Sequence, residues 1–267
     1  MTGFSLDVGF LPLVDAAPLI VAHELGFAAE EGFELCLRRE NSWSAIRDKL
    51  ALGRLDAAHM LSPMPVAMSM GLGGLPLKID ALMVLSVNGN SVGVSADLAA
   101  KLRDAGPRLD FMDARGIGER LIATADAPIR VGVPFPFSMH AELLYHWFGA
   151  LGLAAPQGLT VRTIPPPLMA DAVAAGEIDA FCVGEPWGAA TVDQGAGELI
   201  LPGCAIWRFA PEKVLAARHD WAEAHPARTR ALMRAVWRAA RWLAQPSARI
   251  TASELLARPE YLNLPTE

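Results

Sequence analysis

Five residues with chemically useful side chains or backbone groups follow predicted strands, at the place where open α/β sheets bind their ligands. They are Trp43, Asn90, His140, Gly184 and Lys213. Among them are a cation, an imidazole and an amide. His140 also lies in the first turn of a predicted helix, whose N-terminus attracts negative charge. Because charge-assisted donors bind anions well, this set of residue types predicts a small-anion site.

Each of these residues also has a purely structural interpretation. Trp43 could pack a helix against the sheet, and His140 could be solvated or could cap its helix. Lys213 follows a glutamate, and a surface lysine in that setting is ordinarily solvated. Asn90 could form a turn, and Gly184 could act as a backbone hinge. Each residue alone favours the structural interpretation, and only the combination favours binding.

Catalytic and metal-binding motifs are missing from the sequence. It contains no GxSxG, HExxH or P-loop pattern, and no GxGxxG that follows a strand. The six histidines do not stand at metal-ligand spacings with carboxylates. We therefore expect a binding protein rather than an enzyme, with neither a metal nor a cofactor.

Composition limits the class of protein. Of the 267 residues, 52% are hydrophobic and 19% are charged, which is enough to form a well-buried core. The net charge of −6 argues against direct nucleic-acid binding. Three scattered cysteines indicate buried thiols in a reducing compartment. No Lys or Arg precedes Arg38, and the longest early apolar run, Ala16–Ala22, is too short to span a membrane. The sequence therefore predicts a soluble cytoplasmic protein without an export signal or a transmembrane segment.

Two short patterns occur twice at one fixed separation. Val8-Gly9 and Val131-Gly132 are 123 positions apart, and so are Asp56 and Asp179 within the Gly-x-aliphatic-Asp-Ala strings that contain them. This fixed offset predicts two similarly built α/β lobes with a ligand cleft between them. Chance is the alternative, since such a string is a common turn-to-strand sequence.

Hydrophobic periodicity places alternating strands and helices along both lobes. Strands are expected at 4–10, 33–38, 55–60, 79–87, 129–133, 159–164 and 178–183. Helices are expected at 15–25, from Ser42 to Gly53, at 63–70, within 97–124, at 138–148, before 175 and at 228–243. Asp15 and Ser42 are predicted helix N-caps, and strand 79–87 is predicted to be covered on both faces. The expected organisation is lobe 1 at 1–88, lobe 2 at 89–186, and a return segment with a C-terminal helix that completes lobe 1 at 187–267.

Four strings at these positions carry a family resemblance. Gly9–Leu19, Leu55–Met60, Asn88–Asn90 and Gly184–Trp187 resemble the nitrate/bicarbonate branch of ABC-transporter substrate-binding proteins, the NrtA/CmpA-like family. The resemblance covers essentially the whole chain. It implies an α/β, two-lobed periplasmic-binding-protein type II fold with an inter-lobe ligand cleft. Because family members continue well beyond the position of Glu267, it also implies a shortened C-terminal part.

The resemblance also implies roles for the five residues. The family's nitrate pocket contains a tryptophan, an amide, a histidine, a glycine backbone group and a lysine, which fall on Trp43, Asn90, His140, Gly184 and Lys213. The histidine and lysine favour nitrate or nitrite over bicarbonate. The transport receptors usually have glutamine where this chain has the shorter Asn90.

Three functions are compatible with this resemblance. The first is a cytoplasmic sensor of the NasS type, which binds nitrate or nitrite and controls an antiterminator protein partner. The second is the substrate-binding component of a nitrate/nitrite ABC transporter, with a permease as partner and a periplasmic or membrane-associated location. The third is a biosynthetic enzyme on the same fold, for which His140 and Glu185 are the only candidate catalytic groups.

Overall fold

Two five-stranded sheets organise the chain, and each belongs to a separate compact unit. The structure is a computed structural model, and it describes residues 3–74, 76–108, 110–125, 128–153 and 158–264. The first unit comprises Met1–Ser86 and Glu212–Glu267, and the second comprises Val87–Pro211. This architecture confirms the prediction of a mixed α/β protein with two similarly built lobes.

The first unit has the strand order β2-β1-β3-β10-β4. Its strands are β1 Ser5–Phe10, β2 Glu34–Arg39, β3 Ala57–Leu61, β4 Ile79–Val87 and β10 Pro211–Arg218. Its helices are α1 Ala17–Glu24, α2 Phe27–Glu30, α3 Trp43–Ala51, α4 Pro63–Ser69, α11 His219–Ala224, α12 Pro226–Leu243 and α13 Arg249–Ala257. Strands β1, β2 and β3 are parallel, whereas β10 runs antiparallel to β3.

The second unit has the strand order β7-β6-β8-β5-β9. Its strands are β5 Asn90–Ser95, β6 Ile129–Val133, β7 Leu159–Thr163, β8 Ala180–Gly184 and β9 Gly197–Pro202. Its helices are α5 Ala96–Asp104, α6 Ala114–Thr124, α7 Met139–Ala150, α8 Met169–Ala174, α9 Trp187–Asp193 and α10 Gly203–Ile206. Strand β5 runs antiparallel to both of its neighbours, β8 and β9.

Individual contacts in the two units are also related by the offset of 123 positions. Asp56 accepts a hydrogen bond from the backbone N–H of Asp7 at 2.8 Å, and Asp179 accepts one from the backbone N–H of Arg130 at 3.0 Å. A Cβ on Gly9 would lie 2.5 Å from Leu55 Cδ1, and a Cβ on Gly132 would lie 2.7 Å from Ile178 Cδ1. Glycine at both places lets the side chains of Leu55 and Ile178 pack directly onto the strand backbone.

The repeat extends to the antiparallel strand of each sheet. Lys213 of β10 stands opposite Leu61 of β3, and Asn90 of β5 stands opposite Gly184 of β8. Leu61 and Gly184 are themselves 123 positions apart. Lys213 and Asn90 therefore occupy equivalent positions in the two units, although each is reached by a different crossover of the chain.

Helix α12 closes the core of the first unit, as its predicted amphipathic pattern requires. Leu232, Val236 and Ala239 are fully buried in the apolar cluster that also contains helix α1. Helix α1 has no polar face, because Ala17–Ala22 are all buried. Among the described helices, none has both the length and the apolar composition needed to cross a membrane.

Three parts of the sequence-based organisation differ from the structure. Strand β4 was expected to be covered on both faces, but it forms an edge of its sheet, and most of its residues are partly exposed. Residues 187–211 were expected in the return segment. They contribute α9, β9 and α10 to the second unit, because β9 pairs along β5. The strand β10, which begins at Pro211, was not predicted at all.

Candidate functional site

Lys213 lies at the centre of a buried ionic cluster in the first unit. Its Nζ is 2.8 Å from Asp15 Oδ2 and 2.9 Å from Glu212 Oε1. His59 Nε2 lies 2.9 Å from the other oxygen of Asp15. Lys213, Glu212 and His59 are completely buried. The expectation of a solvated surface lysine is therefore wrong, because a buried strand places this lysine between two carboxylates.

Asp15 does not act as the predicted helix cap. It lies in a short 3-10 turn, Val14–Ala16, and helix α1 begins after it without a side-chain cap. Its carboxylate is directed instead toward His59 and Lys213. A lysine and an imidazole satisfy a buried carboxylate better than a single backbone N–H does, so tertiary contacts override the local capping preference.

Trp43 covers one side of this cluster. Ser42 accepts a hydrogen bond from the backbone N–H of Ala45 at 3.2 Å, so it caps helix α3 as predicted and fixes Trp43 in the first turn. The Trp43 ring centroid lies 5.6 Å from Lys213 Nζ and 5.4 Å from the His59 ring. Its indole Nε1 is buried, and no residue in the described part of the chain accepts a hydrogen bond from it. Trp43 thus combines an apolar wall with an unused donor.

Burial and charge act in opposite directions on the acids and the base of the cluster. Burial alone would raise the pKa of Asp15, but Lys213 and His59 together hold that pKa well below its usual range. Burial raises the pKa of Glu212 above its usual value, and Lys213 offsets this only in part. Burial would lower the pKa of Lys213, but Asp15 and Glu212 raise it instead. Lys213 and Asp15 are therefore a stable ion pair, and Glu212 is the more easily protonated acid.

The second unit holds the other three predicted site residues. Asn90 and Gly184 face each other across the antiparallel pair β5 and β8. Asn90 is buried, and its Oδ1 would lie 1.8 Å from a Cβ added to Gly203, so α10 packs closely against this amide. His140 is also buried, in the first turn of α7. Ser138 caps that helix by accepting a hydrogen bond from the Ala141 N–H at 3.2 Å.

Glu185, the other candidate catalytic group, is engaged in local structure. It accepts a hydrogen bond from Ser91 Oγ at 2.7 Å and another from the Ala189 N–H at 3.0 Å. Both carboxylate oxygens are therefore used to hold the start of helix α9 against strand β5. Among the described residues, no group of three or more histidine, cysteine, aspartate or glutamate side chains could hold a metal ion.

The predicted site residues divide into two groups, one in each unit. Trp43 contacts Lys213 in the first unit, and Asn90 pairs with Gly184 in the second, where His140 is also buried. Sequence reasoning missed Asp15 and His59 as members of the first group. One signal was available for His59, because it interrupts a short strand whose other members are all apolar and buried.

Comparison with known proteins gives consistent matches over nearly the whole chain. The NMT1-like family matches residues 4–257. The nitrate import ATP-binding protein NrtC of Synechocystis is 38% identical over 98% of this chain, and the match covers 38% of NrtC. The nitrate/nitrite binding protein NrtA of Synechococcus elongatus is 33% identical over 98% of this chain and is covered to 60%. The chain thus spans only part of the length of these relatives.

Solved structures agree with this assignment. The crystal structure of the periplasmic nitrate-binding protein NrtA from Synechocystis matches 98% of this chain and 68% of its own, with a TM-score of 0.87 and 32% identity. The alkanesulfonate-binding protein SsuA from Xanthomonas axonopodis matches with a TM-score of 0.72 at 16% identity, which supports the fold alone. The repeated α/β frame, its periplasmic-binding-protein fold and these matches together establish that the chain belongs to the NMT1-like family and is similar to its NrtA-type members.

Proposed function

We propose that this protein binds nitrate or nitrite as the substrate-binding component of an ABC-type transport system. The observation that carries this proposal is the match to the NrtA structure, with a TM-score of 0.87 at 32% identity over 98% of the chain. In this proposal the first unit supplies Trp43 and the Lys213 charge. The second unit supplies the Asn90 amide, the His140 imidazole and the Gly184 backbone N–H. These groups would replace the water that the anion loses.

The enzyme alternative has less support. A biosynthetic reaction would need a free general base, and both oxygens of Glu185 are already hydrogen-bonded within the second unit. The names of the similar proteins describe transport and anion binding. We therefore propose reversible binding without turnover of the anion.

The test of anion binding is calorimetry with nitrate, nitrite, bicarbonate and sulfate. We expect nitrate or nitrite to bind most tightly, and His140→Gln to weaken that binding at least tenfold, because the glutamine amide does not hold its N–H where the imidazole N–H lies. His146→Gln is the matched control, because His146 is on the same helix but outside the proposed set. Equal affinities of these two variants would remove His140 from the site. No heat with any of the four anions would reject the proposed function.

A regulatory role is the second candidate, and it differs from transport in the partner and in the location of the protein. Trp207 and Phe209 of the second unit are 47% and 73% exposed. Exposed aromatic side chains favour a protein partner, which would be a permease in one case and an antiterminator in the other. Isolation of the tagged protein from its own cells, with and without nitrate, distinguishes them. A permease partner and a periplasmic fraction would support transport. An antiterminator released by nitrate would support the cytoplasmic sensor.

A further inference from the structure

The ionic cluster of the first unit has no charged counterpart in the second. Lys213 and His59 are matched in the repeat by Asn90 and Cys182. Asp15 stands five residues after the end of β1, and Ser138 stands five residues after the end of β6. Glu212, which precedes Lys213, is matched by Gly89, which precedes Asn90. The second unit thus builds the same frame from neutral residues, so the frame itself does not require the four ionisable groups.

Two acids compete for the single lysine of this cluster. Asp15 and Glu212 both lie within 2.9 Å of Lys213 Nζ, and water does not reach the lysine. When both acids are ionised they carry two negative charges against one positive charge. The lysine charge is then fully used inside the cluster. A further negative charge nearby would be repelled unless a proton neutralised one of the acids.

We propose that Glu212 is a specificity-determining residue, which takes up a proton when the anion binds and thereby limits the site to monovalent anions. This inference rests on the proposed anion binding and identifies Glu212 as the group whose protonation changes when the anion binds. With Glu212 protonated, Lys213 retains only Asp15 as an ionised partner, so one more negative charge is tolerated. A divalent anion such as sulfate would add a second charge that no further acid at Lys213 could offset.

The surroundings of Glu212 identify it as the proton acceptor. Ionisable groups in the described part of the chain face the cluster from three elements: Asp15 from the turn before α1, His59 from β3 and Lys213 from β10 itself. From α3 the cluster receives only the neutral ring of Trp43. Asp15 holds its negative charge firmly, because Lys213 and His59 keep its pKa low. Burial has already raised the pKa of Glu212, and a bound anion raises it further, so affinity must increase as the pH falls.

The test is calorimetry of nitrate binding at several pH values, each in two buffers that differ in ionisation enthalpy. The pH is varied between about 9 and about 6.5, which stays above the isoelectric point near 5.6. We expect uptake of up to one proton per nitrate, and an affinity that rises at least tenfold as the pH falls across this range. Sulfate should bind at least tenfold more weakly than nitrate throughout.

The decisive variant is Glu212→Gln, which should bind nitrate without proton uptake and with an affinity independent of pH. Glu40→Gln is the matched control, because Glu40 is also buried and lies 2.7 Å from Lys49 in the same unit. It should retain the proton uptake of the parent protein. Infrared spectroscopy of the parent protein labelled with ¹³C-glutamate needs no variant. Nitrate should create a protonated-carboxyl band in it that shifts with this label and not with ¹³C-aspartate.

The possible failures are distinguishable. No heat with nitrate at any pH would reject the proposed function, whereas tight nitrate binding without proton uptake would reject only this inference. Proton uptake that persists in Glu212→Gln would place the proton on a histidine and would also overturn it. A nitrate-induced infrared band that is insensitive to glutamate labelling would have the same consequence.

Discussion

The two units have the same backbone arrangement, but they differ in the charge of the polar residues at the centre of each sheet. Both place a glycine under an aliphatic side chain, at Gly9 and at Gly132, and both tie an aspartate to the neighbouring strand. In the first unit Lys213 of the antiparallel strand β10 pairs with β3. At the equivalent position of the second unit, Asn90 of β5 pairs with β8. The frame and the central polar group are therefore separable features of this fold.

The comparison shows which contacts build the frame. Those that occur in both units are close apolar packing and hydrogen bonds to backbone groups, which depend little on charge. The ion pairs around Lys213 are of a different kind, because two acids must be desolvated together with the base. Replacing such pairs by neutral groups often costs nothing, and the matched positions of the second unit hold the neutral residues Asn90 and Ser138, so the charges of the first unit favour a role in function.

Lys213→Met should have the largest effect on stability, because it leaves Asp15 and Glu212 buried without a cation. We expect the free energy of unfolding to fall by about 3–5 kcal/mol at neutral pH. Asn90→Met at the equivalent position should lower the free energy of unfolding by about 1–3 kcal/mol, since it removes a buried amide but leaves no charge without a partner. Urea unfolding followed by circular dichroism measures both values.

The neutral triple variant Asp15→Asn, Glu212→Gln and Lys213→Met tests whether unpaired charge causes the loss of stability. It should recover at least half of the stability lost in Lys213→Met, because no isolated charge remains in the cluster. A Lys213→Met protein that unfolds within about 1 kcal/mol of the parent would show that the charges are not energetically coupled.

Gly93→Ala should have the next largest effect. A Cβ on Gly93 would lie 2.1 Å from Cζ of Phe181, whose ring is fully buried on the facing strand. The matching pair in the first unit is Ala216 opposite Ala58, where no ring is present. We expect Gly93→Ala to cost about 1–3 kcal/mol by overpacking, and Ala216→Gly to cost at most about 1 kcal/mol.

A second substitution tests the cause of that loss. Adding Phe181→Leu to Gly93→Ala removes the rigid ring and should restore part of the stability, as measured by thermal unfolding. If the double variant is no more stable than Gly93→Ala alone, contact with the ring is not the reason for the glycine.

The smallest difference in stability is expected between substitutions of the two equivalent aspartates, Asp56 and Asp179. Asp56 accepts a backbone N–H, whereas Asp179 also accepts hydrogen bonds from the Arg130 guanidinium, at 2.9 Å from Nε and 2.5 Å from Nη2. Asn at position 56 keeps a carbonyl oxygen for the N–H, so Asp56→Asn should be nearly neutral. Asp179→Asn should cost about 1 kcal/mol, because this ion pair is partly exposed.

The stability lost in Asp179→Asn should depend on pH, because Asp179 is paired with Arg130. Hydrogen bonding to Arg130 lowers the pKa of Asp179 below its ordinary value. The stabilisation is therefore present above the unfolded pKa of about 4 and is lost as the pH falls below it. Urea unfolding at neutral pH and at about pH 3.5 should show the Asp179→Asn deficit shrinking at the lower pH. A deficit that stays constant would mean that the aspartate charge contributes nothing.

Sequence patterns predicted the features that depend on neighbours along the chain. The caps at Ser42 and Ser138 lie at the starts of predicted helices, and each has its hydrogen bond within three residues. The glycines Gly53 and Gly176 end equivalent helical segments with φ angles of 67° and 66°, which few other residues adopt. Such features need no knowledge of the tertiary fold.

Features that depend on distant parts of the chain were not predictable in this way. Asp15 resembles an N-cap by its local sequence, and only the distant strand β10 turns its carboxylate toward Lys213. Strand β4 is as apolar as a central strand, yet its place at the sheet edge depends on where β10 inserts. Local composition does not specify which strand will become its neighbour.

The amino-acid sequence by itself determined the repeated α/β frame, because glycine placement, strand alternation and helix capping are local and occur twice. It also supplied the residue types of the candidate site. The tertiary structure alone decided the electrical state of that site, because the charge of a lysine depends on which distant acids are buried against it. Lys213 is held by Asp15 and Glu212 for this reason, and its equivalent Asn90 needs no such partners.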